Sequence, residues 1–122
     1  PMGYVRSGHK DHGRQNQIEG KMEPGTKVVV IEDLISTGGS VLEVVDVLRQ
    51  AGAQVLGIAS IFTYGLQKGV ERLAAADVVN YSLSDFDTLS KVAAAEGYIA
   101  DKDIAKLTAF QKNPQDPAWM EL

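Results

Sequence analysis

Residues 28–40 read Val-Val-Val-Ile-Glu-Asp-Leu-Ile-Ser-Thr-Gly-Gly-Ser, and few folds accommodate that order. Four β-branched residues in a row, Val28, Val29, Val30 and Ile31, suit a strand covered on both faces. Two carboxylates follow, then a short hydroxyl-rich stretch with paired glycines. From Gly39 to Gln50 the apolar residues Val41, Leu42, Val44, Val45, Val47 and Leu48 recur at helical spacing against Glu43, Asp46 and Arg49. Strand, tight turn and helix in succession form the unit of a parallel α/β sheet. At the turn, Ser36, Thr37 and Ser40 offer hydroxyls, and Gly38 and Gly39 let backbone amides approach an anion closely. The helix turns its positive end toward the same spot. Such a turn is a cradle for a phosphate group, with Glu32 and Asp33 beside it where a sugar or a metal would lie.

This cradle is neither a P-loop nor a dinucleotide fingerprint, because neither glycine pattern occurs. Residues 37–40 alone would also suit an ordinary strand-to-helix loop capped by Thr37 or Ser40. The acidic pair alone would suit a helix-terminal charge and a solvated edge residue. The remaining elements decide the fold class. A turn at 23–26 precedes a strand at 27–31, the helix at 39–50 stops before Gly52, and a second apolar strand spans 55–62. A helix at 66–75, a short strand at 77–81, a helix opened by Ser84 and Asp87, and a last helix capped by Asp101 follow, then an irregular tail from Asn113. The expected architecture is α/β, a parallel sheet flanked by helices, with an α/β core over residues 27–112 in a single domain of 122 residues. In such sheets ligands bind beyond the carboxyl ends of the strands, where residues 32–40 fall.

Composition narrows the partners. The chain is 44% apolar with net charge −4 and no cysteine, which fits one small domain without thiol chemistry and argues against nucleic acid as the main partner. No apolar run is long enough to span a membrane, and no signal peptide is evident, so a cytoplasmic location is expected. Pro1 precedes Met2, which points to a processed or cut-down chain.

The string from Ile31 to Ser40 resembles the phosphoribosyl-diphosphate (PRPP) signature of type I phosphoribosyltransferases, in the variant of orotate phosphoribosyltransferases. The resemblance implies that Glu32 and Asp33 hold the ribose hydroxyls and that Ser36, Thr37, Gly38, Gly39 and Ser40 hold the 5-phosphate. Leu34 and Ile35 complete the PRPP-binding stretch, and Ser36 also falls at the family position that touches orotate.

Residues 1–17 are polar and glycine-bearing and read as a long mobile loop. Arg6, Lys10 and His12 cluster there, with His9 as a spacer; by itself this would suit a solvated basic loop. The string Tyr4-Val5-Arg6 with Lys10-Asp11-His12-Gly13 resembles the catalytic loop of orotate phosphoribosyltransferases. The implied roles are catalysis and diphosphate binding by Arg6, Lys10 and His12, in a homodimer whose loops reach into the neighbouring site. Two positions depart from the family pattern: Ser7 replaces a second basic residue, and residues 62–69 lack an arginine that holds orotate in some members.

The implied reaction transfers ribose 5-phosphate from PRPP to orotate, giving orotidine 5-phosphate and pyrophosphate. Mg²⁺ would arrive with PRPP, since no protein-only metal cage is visible. A phosphoribosyltransferase for another base, or a regulator that binds PRPP as a signal, would share these motifs. The resemblance covers only the rear part of the family domain. The sheet is therefore expected to show a bare apolar side at residues 28–31 and 55–62, and the chain alone is expected to be inactive.

Overall fold

The turn at Glu23 to Thr26 closes with the Thr26 amide and hydroxyl both donating to the Glu23 carbonyl, and it launches the first long strand. The computed structural model of the protein describes residues 1–6 and 17–122. Two short strands, β1 (Tyr4–Val5) and β2 (Ile18–Glu19), pair antiparallel ahead of that turn. The sequence expectation of one continuous loop over 1–17 missed β1, whose two residues are too few for any periodicity to register. Val5 and Ile18 pack on the core and fasten this ribbon to the rest of the protein.

The main sheet has three parallel strands in the order β3 (Lys27–Ile35), β4 (Gln54–Thr63) and β5 (Asn80–Asp85). Helix α1 (Gly39–Gln50) connects β3 to β4, and α2 (Gln67–Ala75) connects β4 to β5. Helices α3 (Phe86–Ala95) and α4 (Asp103–Lys112) follow, and a 3-10 turn at Pro117–Glu121 ends the chain. The architecture is the expected α/β parallel sheet with flanking helices. β3 runs four residues past the expected end at 31, because Glu32, Leu34 and Ile35 keep their pairing with Ser60, Phe62 and Thr63.

The rows of the sheet alternate between a covered and a bare face, as a period of two requires. Val30 and Ile58 lie on the covered face, where Val41, Val45 and Leu48 of α1 meet them together with Val78. On the next row Ile31 pairs with Ala59 and Ala59 with Tyr81, and Ile31 is 75% exposed. Val29, Leu56, Ile61, Tyr81 and Leu83 are also exposed, so one side is bare. The bare apolar side expected at residues 28–31 and 55–62 is thus present: Val29 and Ile31 lie open while Val28 and Val30 are shielded, so the run is not covered on both faces as its four β-branched residues alone suggest.

Three boundaries also moved. The third strand spans Asn80–Asp85 rather than 77–81, because Asp77 takes φ 53° in the turn and Val78 drops into the core. Asp85, not Ser84, caps α3 by accepting from the Thr88 amide at 2.8 Å. Asp101 does not cap α4; Asp103 instead accepts from the Ala100 amide at 2.9 Å.

Candidate functional site

The site is built where β3 hands over to α1. Ile35 is 2% exposed and anchors the end of the strand, its carbonyl accepting from the Tyr64 amide at 3.0 Å. The buried side chain leaves Ile35 only backbone to offer a ligand. Residues 36–38 then bend, and Gly38 enters α1 as the N-cap with φ 84°, a left-handed conformation that a side chain would strain. The first helical bond runs from the Leu42 amide to the Gly38 carbonyl at 3.0 Å. The amides of Gly39, Ser40 and Val41 therefore have no acceptor within the helix. Neither Thr37 nor Ser40 caps α1, because the N-cap makes no side-chain bond. The ordinary capped loop weighed from the sequence is thus not what forms. Among the described residues, no partner holds the hydroxyls of Ser36, Thr37 or Ser40. Free amides, free hydroxyls and a helix positive end converge in one bend, which is what binding an anion requires.

Helix α2 braces this bend from the side. A Cβ on Gly69 would stand 2.7 Å from the Ser36 carbonyl oxygen, so α2 and the cradle touch backbone to backbone. Arg72, one turn further on, approaches the Thr37 carbonyl with Nη1 at 3.4 Å. Sequence reasoning missed both. A glycine inside a helix costs about 1 kcal/mol relative to alanine, so Gly69 was itself a signal of close approach.

The acidic pair lies on the last turns of β3. Glu32 is half-buried and pairs in register with Ser60, while Asp33 is exposed. The Asp33 amide donates to the Glu32 carboxylate at 3.0 Å, and the Leu34 amide donates to Asp33 at 2.8 Å. Burial pushes the Glu32 carboxyl above its ordinary range, and the neighbouring Asp33 carboxyl adds to this. Asp33 moves the other way, lowered first by its hydrogen bond with Glu32 and then by the Leu34 amide. Adjacent like charges divide in this manner, one taking up a proton more readily and the other keeping its charge.

Arg6 stands at the base of the ribbon, where its amide donates to the Gln17 carbonyl at 2.6 Å and its guanidinium pairs with Glu19. Both side chains are largely solvated, so this pair contributes little stability and can exchange for another anion. Lys10 and His12 lie outside the described residues. Among the described residues no group of three or more His, Cys, Asp or Glu side chains could hold a metal ion, and no helix is long and apolar enough to cross a membrane.

Comparison with known proteins bears on what the cradle holds. Residues 3–92 match the sequence profile of the phosphoribosyl transferase domain. The chain belongs to the phosphoribosyltransferase family. It is 59% identical over 120 residues to the orotate phosphoribosyltransferase of Bacillus cytotoxicus, a match that covers 98% of this chain and 57% of that protein. The chain thus spans a little over half the length of such relatives. Among solved structures, an orotate phosphoribosyltransferase from Aeropyrum pernix superposes with TM-score 0.67 at 32% identity, over 82% of this chain and 54% of that one. An orotate phosphoribosyltransferase from Mycobacterium tuberculosis, solved in complex with PRPP, superposes with TM-score 0.53 at 28% identity, over 62% and 43% of the two chains. The parallel sheet with flanking helices is the fold of this family, and the PRPP signature read from residues 31–40 lies within the matched region.

Proposed function

We propose that this chain carries the PRPP-binding part of an orotate phosphoribosyltransferase. The observation that carries the reading is the uncapped start of α1 at the mouth of β3. There the amides of residues 39–41 and three hydroxyls stand free among the described residues, directly after two carboxylates. The 5-phosphate would rest on Thr37, Gly38, Gly39 and Ser40, with Ser36 at the side of orotate. Glu32 and Asp33 would accept from the ribose hydroxyls, Asp33 as the standing charge. PRPP would bring its own Mg²⁺, a hard cation that would offset the negative charge of the diphosphate, with at most indirect help from Glu32 or Asp33.

In the transfer, a ring nitrogen of orotate bonds to the sugar carbon and gives up its proton to the departing diphosphate or to water as that carbon releases diphosphate, through a transition state with oxocarbenium character of the kind seen in glycoside cleavage. Negative charge grows on the departing diphosphate. Arg6, Lys10 and His12 would neutralise it, and their closure would exclude water. The working protein in this reading is a cytoplasmic homodimer that shares its basic segments between sites.

PRPP added to the chain should shift the amide resonances of residues 37–41 before any others. The chain completed with the front part of the Bacillus cytotoxicus relative should then form orotidine 5-phosphate from orotate, and Lys10→Ala should abolish most of that turnover. Shifts confined to surface lysines would sink the cradle reading. Turnover with adenine or uracil but not orotate would reassign the base.

A further inference from the structure

Residues 93–122 lie beyond the stretch that matches the family profile, and one hydrogen bond from them reaches the β4–α2 connection beside the site. Gln111 of α4 donates from Nε2 to the Tyr64 carbonyl at 2.9 Å. Tyr64 sits in the connection between β4 and α2. Its own amide donates to the Ile35 carbonyl at 3.0 Å, so its two backbone groups tie α4 to the end of β3. The same connection leads into α2, whose Gly69 abuts the Ser36 carbonyl. The step from Ile35 to Ser36 is therefore held from two sides by one segment, and that segment is held by Gln111.

Three further features fit this arrangement. A Cβ on Gly65 would stand 3.0 Å from Gln111 Nε2, so a side chain at 65 would crowd the amide at its acceptor. The Gly65 amide donates to Thr63 Oγ1 at 3.1 Å, which tightens the connection. A row of aromatic rings, Phe62, Tyr64, Phe86, Phe110 and Trp119, crosses from β4 to the terminal turn with centroids 5.3, 5.6, 6.2 and 5.3 Å apart. The row joins the connection, through α3 and α4, to the 3-10 turn. Edge and tilted contacts of this kind add to the area they bury.

We propose that Gln111 is a positioning residue for the anion cradle. Through the Tyr64 carbonyl it fixes the β4–α2 connection, and with it the Ile35–Ser36 step from which the cradle hangs. This rests on reading residues 36–40 as the anion site. Gln111 touches no ligand; it sets how firmly the bend is held open for one. Its side-chain amide is the donor that counts, so a side chain of equal shape without a donor should fail and a longer one with a donor should serve.

The test uses the whole chain with Gln111→Glu and Gln111→Lys. The first readout, free of any ligand, is hydrogen exchange at the Tyr64 amide. It should quicken by about three- to tenfold in Gln111→Glu, the range expected for one lost neutral hydrogen bond, and stay within about twofold in Gln111→Lys. The second readout is affinity for PRPP, with inorganic phosphate as a smaller probe, followed at the amides of residues 37–41. It should weaken by about three- to tenfold in Gln111→Glu and recover in Gln111→Lys. Equal exchange at Tyr64 in wild type and Gln111→Glu would overturn the proposal. So would equal losses in both variants in step with a lowered melting temperature, the mark of a merely structural role. If neither probe moves the cradle amides of the wild type, the anion-site reading fails instead, and Tyr64 exchange alone then decides whether Gln111 positions the connection.

Discussion

Replacing Gly69 by alanine sets two opposed effects against each other at one atom. Within α2 the change should help, since alanine is better than glycine in a helix interior by about 1 kcal/mol. Against that, the new methyl would stand 2.7 Å from the Ser36 carbonyl oxygen and 3.5 Å from the Thr37 carbonyl carbon. Both are backbone atoms, and the preceding Ile35 is locked in the core, so the bend cannot swing aside freely. Overpacking of this kind costs roughly 1–3 kcal/mol, so the clash outweighs the propensity gain and the net loss is about 1 kcal/mol. For a domain of this size that lowers Tm by about 4 °C. The loss of phosphate or PRPP affinity should be larger in proportion, because relief of the clash moves Ser36 itself. Thermal melting paired with titration of the cradle amides measures both. Glu71→Ala, an exposed change on the same helix, serves as the control and should stay within about 0.5 kcal/mol of wild type. If Gly69→Ala melts higher than wild type and binds phosphate equally well, the backbone contact between α2 and the cradle is not what holds the bend.

Three further outcomes follow from the geometry. Burial raises the Glu32 carboxyl above its ordinary value of 4.5, so its contribution to stability is present at low pH and is lost as pH rises through the folded value. Glu32→Gln should therefore raise Tm at neutral pH, with the gain vanishing below pH 4.5, while PRPP affinity falls; melting curves across pH check the first and titration the second. Asp85 has the opposite sign, since the Thr88 amide holds it below its ordinary 3.8. Asp85→Ala should lower Tm at neutral pH, the difference should fade as pH falls through the folded value, and Asp85→Asn should retain most of the cap. Finally, the bare apolar side of the sheet should drive self-association. Ile31→Lys with Leu83→Lys should shift sedimentation toward monomer without altering far-ultraviolet dichroism, and a wild-type chain that stays monomeric at all concentrations would contradict this.

The order of strands and helices could be read from residues 28–75 because hydrophobic period and glycine placement agree there. Helix α1 spans Gly39–Gln50 as its pattern requires, and α2 begins one residue later than expected. Agreement failed where polar residues kept an extended backbone. Glu32 and Asp33 read as the end of a strand, yet pairing with β4 carries β3 to Ile35. Ser82, Ser84 and Asp85 carry no apolar alternation, yet β4 holds them as strand. The candidate cradle was legible because its chemistry is local, contained in residues 36–40. Gly69, Arg72 and Gln111 were not, because they lie about 30 to 75 positions away in the chain and reach the site only through packing. Lys10 and His12 remain assignments from sequence pattern, since they fall outside the described residues.

The row of rings that ends at Trp119 has a practical consequence. It is the only tryptophan in the chain, and it sits edge-on to Phe110 at the far end from the cradle. Its emission is thus an intrinsic optical gauge of whether the terminal turn is seated. A red shift on loosening, with no label attached, would let docking of the C-terminal segment be timed in a stopped-flow cell.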